Sequence, residues 1–375
     1  MAGLNQDVDP DGLLEYSVVF TDRSLNHMSK SFQTVMNDIS RLLKSVYNAD
    51  AVAIVPGGGT YGMEAVARQF ATDKSVLVIR NGWFSYRWSQ IFEAGRIPAK
   101  ETVLKASQVS EGHDAPYSPV SAKQAAEVIR TEKPAVVFAP HVETSSGIIL
   151  PDEYLQTISE AAHEVGALFV LDCIASGAVW VDMKKVGVDV LISAPQKGWS
   201  ASPCAALVMM SEAAERKLAE TTSSSFACDL KKWRDIMSAY ENGGHAYHAT
   251  MPTDALVNFR DTMLETEKYG FEKVRDEQWA LGNGVRDLMA KHQFRSVAAE
   301  GFEAPGVAVF YTQDADIQNG SKFAKEGLQI AAGVPLQCDE GPEFKTFRLG
   351  LFGLDKLHNV ERSIESLDKA LKSIL

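Results

Sequence analysis

Six short, almost unbroken apolar runs punctuate the first part of the chain: AVAIVP (51–56), SVLVIR (75–80), PAVVFAP (134–140), ALFVLD (167–172), DVLISAP (189–195) and AALVMM (205–210). Runs of Val, Ile, Leu and Ala without polar alternation suit strands covered on both faces, as in a parallel sheet packed between helices. Between them, YGMEAVARQF, SAKQAAEVIR and LPDEYLQTISEAAHEVG carry apolar residues at helical spacing. The order strand, helix, strand requires crossover connections. After about residue 255 the texture changes to long amphipathic helices, then short strands near GVAVFYT and FKTFRLGLF, then a last helix, VERSIESLDKALKSIL. The pattern predicts an α/β fold with a mainly parallel central sheet sandwiched by helices and a smaller C-terminal α+β domain. We divide it into an N-terminal arm (1–15), a large domain (16–255) and a small domain (256–375).

With 375 residues, 45% of them hydrophobic, the chain can bury a large core. Its 37 Lys and Arg against 49 Asp and Glu give a formal charge of -12, which argues against nucleic acid or an anionic membrane as a partner. The start, MAGLNQDVDPDG, has no basic region followed by an apolar core, and no later stretch reaches the roughly 18 apolar residues of a membrane span. A cytoplasmic protein is expected. Cys173, Cys204, Cys228 and Cys338 lie far apart without CxxC or Cys/His spacing, so neither a disulfide framework nor a metal site is expected.

Three features carry chemistry. PGGGTYGMEA (56–65) follows an apolar run and opens a helix; Gly57, Gly58 and Gly59 would let backbone amides approach an anion at the helix's positive end. Glycine-rich turns of this kind also occur without a ligand. LDCIAS puts Asp172 at the carboxyl end of a strand, where open α/β sheets bind ligands, and a buried carboxylate there needs a cationic partner. SAPQKGWSASP puts Lys197 at the next strand end, as either a snorkelling surface lysine or a functional amine. The order of the parts favours function. A pyridoxal-phosphate (PLP) site needs a phosphate cradle, an acid that keeps the pyridine nitrogen protonated, and an amine that forms a Schiff base.

With these residues in place, the chain resembles the alanine-glyoxylate and serine-pyruvate branch of the class V aminotransferases. The likeness runs from about residue 26 to the C-terminus through NHMSKSFQTVMNDI, PGGGTYGMEA, NGWFSYR, HVETSSGIILP, LDCIASGA, SAPQKGWSASP, AYHATMP and TFRLGLFG. The resemblance implies PLP-dependent transferase fold type I and transamination from a small amino acid to a 2-oxo acid such as glyoxylate or pyruvate. It implies that Lys197 forms the Schiff base and shuttles the substrate's α-proton, and that Asp172 pairs with the pyridinium nitrogen. Gly58, Gly59, Thr60 and Gln196 would hold the phosphate. The ring-stacking aromatic falls on Phe84, with Trp83 adjacent, and the hydroxyl beside the cofactor's phenolic oxygen falls on Thr144. Tyr247 and Thr250 match positions that reach the neighbouring subunit's cofactor, which implies a homodimer with shared active sites. Arg348 matches the arginine for the substrate α-carboxylate, a task suited to the guanidinium fork.

The chain departs from this branch at its start: where relatives carry a GPGP-type stretch on the substrate side, it reads NQDVDPDGLLEYSVVFTDRSLNH. Two other functions compete with transamination. A class V lyase or cysteine desulfurase would need a reactive thiol, for which Cys338 is the candidate, but its acidic loop QCDEGPEF disfavours the thiolate. A binding protein using only the glycine-rich turn would have no need of the Asp172 and Lys197 pair.

Overall fold

The computed structural model describes residues 13–375, so the expected arm at 1–15 lies outside the described residues apart from its last part, 13–15. The central sheet has seven strands: β1 (Ala51–Pro56), β2 (Ser75–Arg80), β3 (Lys100–Lys105), β4 (Val136–Pro140), β5 (Leu168–Asp172), β6 (Val190–Ser193) and β7 (Ala205–Met210). Their spatial order is β1-β7-β6-β5-β4-β2-β3. Pairing is parallel from β6 across β5, β4 and β2 to β3, and only β7 runs against its neighbours. Each of the six apolar runs forms one of these strands. The seventh strand, β3, reads KETVLK; it lies at the sheet edge with exposed ends and a half-buried middle, so its polar residues conceal it from a search for continuous apolar runs.

Helices cover both faces because their apolar positions recur once per turn. In α1 (Lys30–Tyr47), Phe32, Val35, Met36, Ile39, Leu42 and Leu43 are buried along one stripe. Ser29 caps its start by accepting from the Phe32 amide at 3.1 Å, and Asn48 ends it in the left-handed conformation at φ 53°. Two further helices, α2 (Gly59–Phe70) and α3 (Trp83–Gly95), begin directly after β1 and β2. Their N-termini therefore open at the carboxyl ends of those strands, and this places the site.

The C-terminal part builds a second, antiparallel sheet from β8 (Val307–Tyr311), β9 (Ala331–Ala332) and β10 (Thr346–Gly350), in the order β8-β10-β9. Its core joins Phe310 and Phe347 to Val274, Leu281 and Val285 of α5 (Phe271–Lys291) and to Leu367 and Leu371 of α6 (Val360–Ile374). The preceding helix, α4 (Thr253–Tyr269), instead buries Leu256, Phe259 and Met263 in the core of the large sheet. The lysine loop and the C-terminal part are tied together where Leu354 N–H donates to Ser200 Oγ at 2.9 Å. Among the described residues, no helix is long and apolar enough to cross a membrane.

Candidate active site

A cavity of about 190 Å³ opens at the carboxyl ends of the parallel strands, lined by Gly59, Thr60, Phe84, Thr144, Asp172, Gln196 and Lys197, with Met63, Arg87, Val142, Ile174 and Ala175. The segments that follow β1, β2, β4, β5 and β6 thus bring seven of the expected residues, Gly59, Thr60, Phe84, Thr144, Asp172, Gln196 and Lys197, to one place, the usual ligand position of an open α/β sheet.

Close approach explains two of the glycines. Gly57 has φ +119°, and a Cβ there would fall 2.7 Å from the Tyr61 ring; at Gly59 it would fall 2.4 Å from Ile174 Cδ1. Gly58 is the N-cap of α2 in extended backbone, and a Cβ on it would meet nothing within 4 Å. First-turn amides of a helix have no intrahelical acceptor and carry its positive dipole end. The turn is therefore shaped to receive an anion at Gly58, Gly59 and Thr60.

Asp172 is buried at the end of β5, and its carboxyl has one hydrogen bond among the described residues, from the Ile174 amide to Oδ1 at 2.9 Å. Burial pushes its carboxyl up to about 7, against the pull of that hydrogen bond, and the nearby Glu143 adds to the rise. Lys197 is displaced the other way: burial, then the charge of Arg348, lowers its ammonium below the ordinary lysine value. Its Nζ lies 5.3 Å from the Phe352 ring centre. Gln196 Oε1 is buried without a partner. A raised acid, a lowered amine and an orphaned acceptor around an anion cradle fit PLP. Its pyridinium would give Asp172 a cation, its aldehyde would take the amine, and its phosphate would lie at the cradle beside Gln196.

On the opposite wall, Phe84 lines the cavity, whereas Trp83 does not line it and packs on Tyr86 with ring centroids 5.6 Å apart. The aromatic in reach of a bound ring is therefore Phe84. What holds it was not foreseen from the sequence. Glu143 is fully buried and accepts from Phe84 N at 3.1 Å, Ser85 N at 2.8 Å and Ser85 Oγ at 2.7 Å. It also accepts from Ser145 N at 3.0 Å and Ser145 Oγ at 2.7 Å. A carboxylate at the N-terminus of α3 satisfies the helix's free amides and its dipole, and here it clamps the first turn of α3, which bears Phe84, to the loop bearing Thr144. The signal was present, since Glu143 adjoins Thr144 in HVETSSG, but its partners lie far away in sequence.

That clamp leaves no room beside Gly82, where an added Cβ would come within 2.0 Å of Ser145 Oγ and 2.8 Å of Glu143 Cδ. Gly82→Ala is expected to destabilise the protein by about 1–3 kcal/mol through overpacking. Thermal unfolding followed by circular dichroism checks this, and an unchanged Tm would contradict the clamp.

Arg348 lies on β10, outside the lining of the cavity but over its aromatic wall, with its guanidinium carbon 5.7 Å from the Phe84 ring centre. Its Nε donates to Ala332 O at 2.9 Å; burial lowers its basicity and Glu143 partly restores it. Tyr247 and Thr250 do not line the cavity of their own chain. They sit together on the surface, Tyr247 Oη and Thr250 Oγ1 3.3 Å apart. Cys338 is buried, its thiol pushed up to about 12 chiefly by burial, with Sγ donating to Arg80 O at 3.5 Å. Such a thiol is a poor nucleophile, which speaks against the desulfurase alternative.

Comparison with known proteins agrees with this geometry. A family model described as Aminotransferase class-V matches residues 13–340, and the chain belongs to the class-V aminotransferase family. It is 27% identical over 354 residues to alanine–glyoxylate aminotransferase 1 of Saccharomyces cerevisiae, a match covering 88% of this chain and 86% of that protein. It is 25% identical over 354 residues to the small subunit of a soluble hydrogenase from Synechococcus sp., covering 94% and 87%. Its fold matches the crystal structure of ureidoglycine–glyoxylate aminotransferase from Bacillus subtilis with a TM-score of 0.79 at 22% identity, over 96% of this chain and 88% of that one. The architecture is PLP-dependent transferase fold type I, and the chain is a PLP-dependent transaminase.

Proposed function

We propose that this enzyme moves an amino group from a small amino acid to a 2-oxo acid such as glyoxylate or pyruvate, with Lys197 as the cofactor-bearing amine. The observation that carries the reading is the meeting of Lys197, Asp172, Phe84, Gly59 and Thr60 around one cavity, with Gly58 beside it as the N-cap of α2. Several relatives are named alanine–glyoxylate aminotransferases, and this supports glyoxylate as acceptor.

Bound PLP supplies an electron sink that weakens the bond to the substrate's α-hydrogen. The protein does the rest. Lys197 Nζ, with its ammonium destabilised by burial and by Arg348, takes that proton and returns it at another atom. With the cofactor bound, Asp172 would keep the ring nitrogen charged, Thr144 would stand by the phenolic oxygen, and Phe84 would serve as the stacking aromatic. Gly58, Gly59, Thr60 and Gln196 would hold the phosphate. Arg348 is held at Nε by Ala332 O, which leaves both terminal nitrogens for the two oxygens of the α-carboxylate. Exposed Tyr247 and Thr250 complete the phosphate site of a neighbouring copy, so the working unit is a homodimer with shared active sites. We place it in the cytoplasm. The same reading divides the chain into 16–255 and 256–375 after an arm at 1–15, with α4 straddling the division by packing into the large core.

The test is the visible spectrum of the purified protein, before and after L-alanine or L-serine, followed by assays pairing amino donors with glyoxylate and pyruvate. A yellow band that moves to the pyridoxamine form, and amino transfer to either acceptor, are expected. A protein that cannot be loaded with PLP would overturn the reading. Arg348→Gln is expected to raise KM for the amino acid by about 10- to 100-fold with a smaller change in kcat, the usual worth of a charged hydrogen-bonded pair. Steady-state kinetics with varied donor decide it, and an unchanged KM would remove Arg348 from the substrate site.

A further inference from the structure

Arg87 lines the cavity without any task in the chemistry above. It stands one turn along α3 from Phe84, its guanidinium carbon 5.3 Å from the centre of that ring. Its Nη1 donates to Thr60 Oγ1 at 3.0 Å. Thr60 belongs to the first turn of α2, so the guanidinium stands at the helix end that receives the phosphate.

A charge count gives this position a meaning. Among the described residues lining the cavity, Arg87 and Lys197 are the only lysine or arginine side chains, and Lys197 is taken up by the cofactor's aldehyde. Asp172 answers the pyridinium. A phosphate monoester brings about -1.5 to -2 charges, against roughly half a positive charge at the α2 N-terminus. Gly58, Gly59, Thr60 and Gln196 are neutral. Arg87 is the cation left to answer the phosphate, and the planar guanidinium matches phosphate oxygens in pairs. The bond to Thr60 uses one of its five N–H donors.

We infer that Arg87 is a ligand of the cofactor phosphate, acting with Thr60 and the first-turn amides of α2. The inference rests on the PLP reading of the cavity. The competing role is that of a counter-charge to Asp172, which Arg87 pulls downward. The two roles concern opposite ends of the cofactor, so a ligand lacking the phosphate separates them.

The full-length protein, stripped of cofactor, is titrated with PLP and with pyridoxal, which keeps the ring and aldehyde but has no phosphate, following the visible band. In Arg87→Gln the Kd for PLP is expected to rise about tenfold or more, as for loss of a charged hydrogen bond, while the Kd for pyridoxal stays at the wild-type value. Arg87→Lys keeps the charge without the fork and is expected to weaken PLP about threefold, again without effect on pyridoxal. The lysine variant decides the matter even if the glutamine variant fails to fold. Equal weakening of PLP and pyridoxal, or no weakening of PLP, would overturn the assignment. A wild-type protein that took up neither compound would overturn the PLP reading of the cavity and Arg87's role with it.

Discussion

Lys197→Ala is expected to reduce turnover by about 1,000-fold or more, the largest effect of any single substitution in the chain. In the proposed function the residue has two duties, anchoring the cofactor and carrying the α-proton, and positioned proton transfer alone is worth about 10² to 10⁴ in rate. Its environment suits both, since the loop after β6 half-buries the amine beside Arg348 and lowers its proton affinity. The variant should still fold, because alanine deletes no core contact and removes a desolvated cation. Single-turnover kinetics on the PLP-loaded variant measure the effect. Added methylamine is expected to restore part of the rate, as a free amine takes over the proton. Turnover at the wild-type level would mean that another base does the work.

The second large effect is expected from Asp172→Asn, with a fall in kcat/KM of about 100-fold or more. A neutral amide cannot hold the ring nitrogen protonated as a buried carboxylate does. The same substitution has a signature in the cofactor-free chain. Burial raises the folded-state carboxyl to about 7 from 3.8. The folded protein therefore holds this proton more tightly than the unfolded one. The associated stability is fully present below about pH 4 and is lost as pH rises through 7, a change of about 4 kcal/mol. Chemical denaturation at pH 5 and pH 8 should show the cofactor-free wild type losing stability at the higher pH, and Asp172→Asn losing much less. Loading PLP should reverse the trend, because the pyridinium supplies the partner that favours the ionised acid. A cofactor-free wild type with the same stability at both pH values would contradict the burial of an unpaired acid here.

The large sheet was legible because its strands are covered on both faces and so read as continuous Val, Ile, Leu and Ala. β3 escaped for the converse reason: as an edge strand it keeps exposed lysines at both ends. β9, two exposed alanines between loops, carries no periodicity at all. The candidate site was legible where chemistry sits directly behind an apolar run, as at Asp172, Lys197 and the Gly58–Thr60 turn, since the end of a run marks the end of a strand. Glu143 was not, because its partners Phe84 and Ser85 lie in the first turn of α3, far away in sequence, and only the folded chain brings them within 3.1 Å. Arg87 stayed hidden in the same way. In a helix reading WFSYRWSQIFEAG an arginine passes for a solvated face, and only its bond to Thr60 turns it toward the cavity. Between the neighbouring aromatics the sequence offers no distinction, whereas packing does: Trp83 lies on Tyr86 and Phe84 lines the cavity.

Borohydride reduction of the PLP-loaded protein, followed by proteolysis and mass spectrometry of the peptides, tests the central claim most directly. The account predicts a pyridoxyl phosphate adduct on Lys197, in the peptide containing SAPQKGWSASP, and on no other lysine. An adduct on a different lysine, or none on a protein that had bound the cofactor, would contradict it.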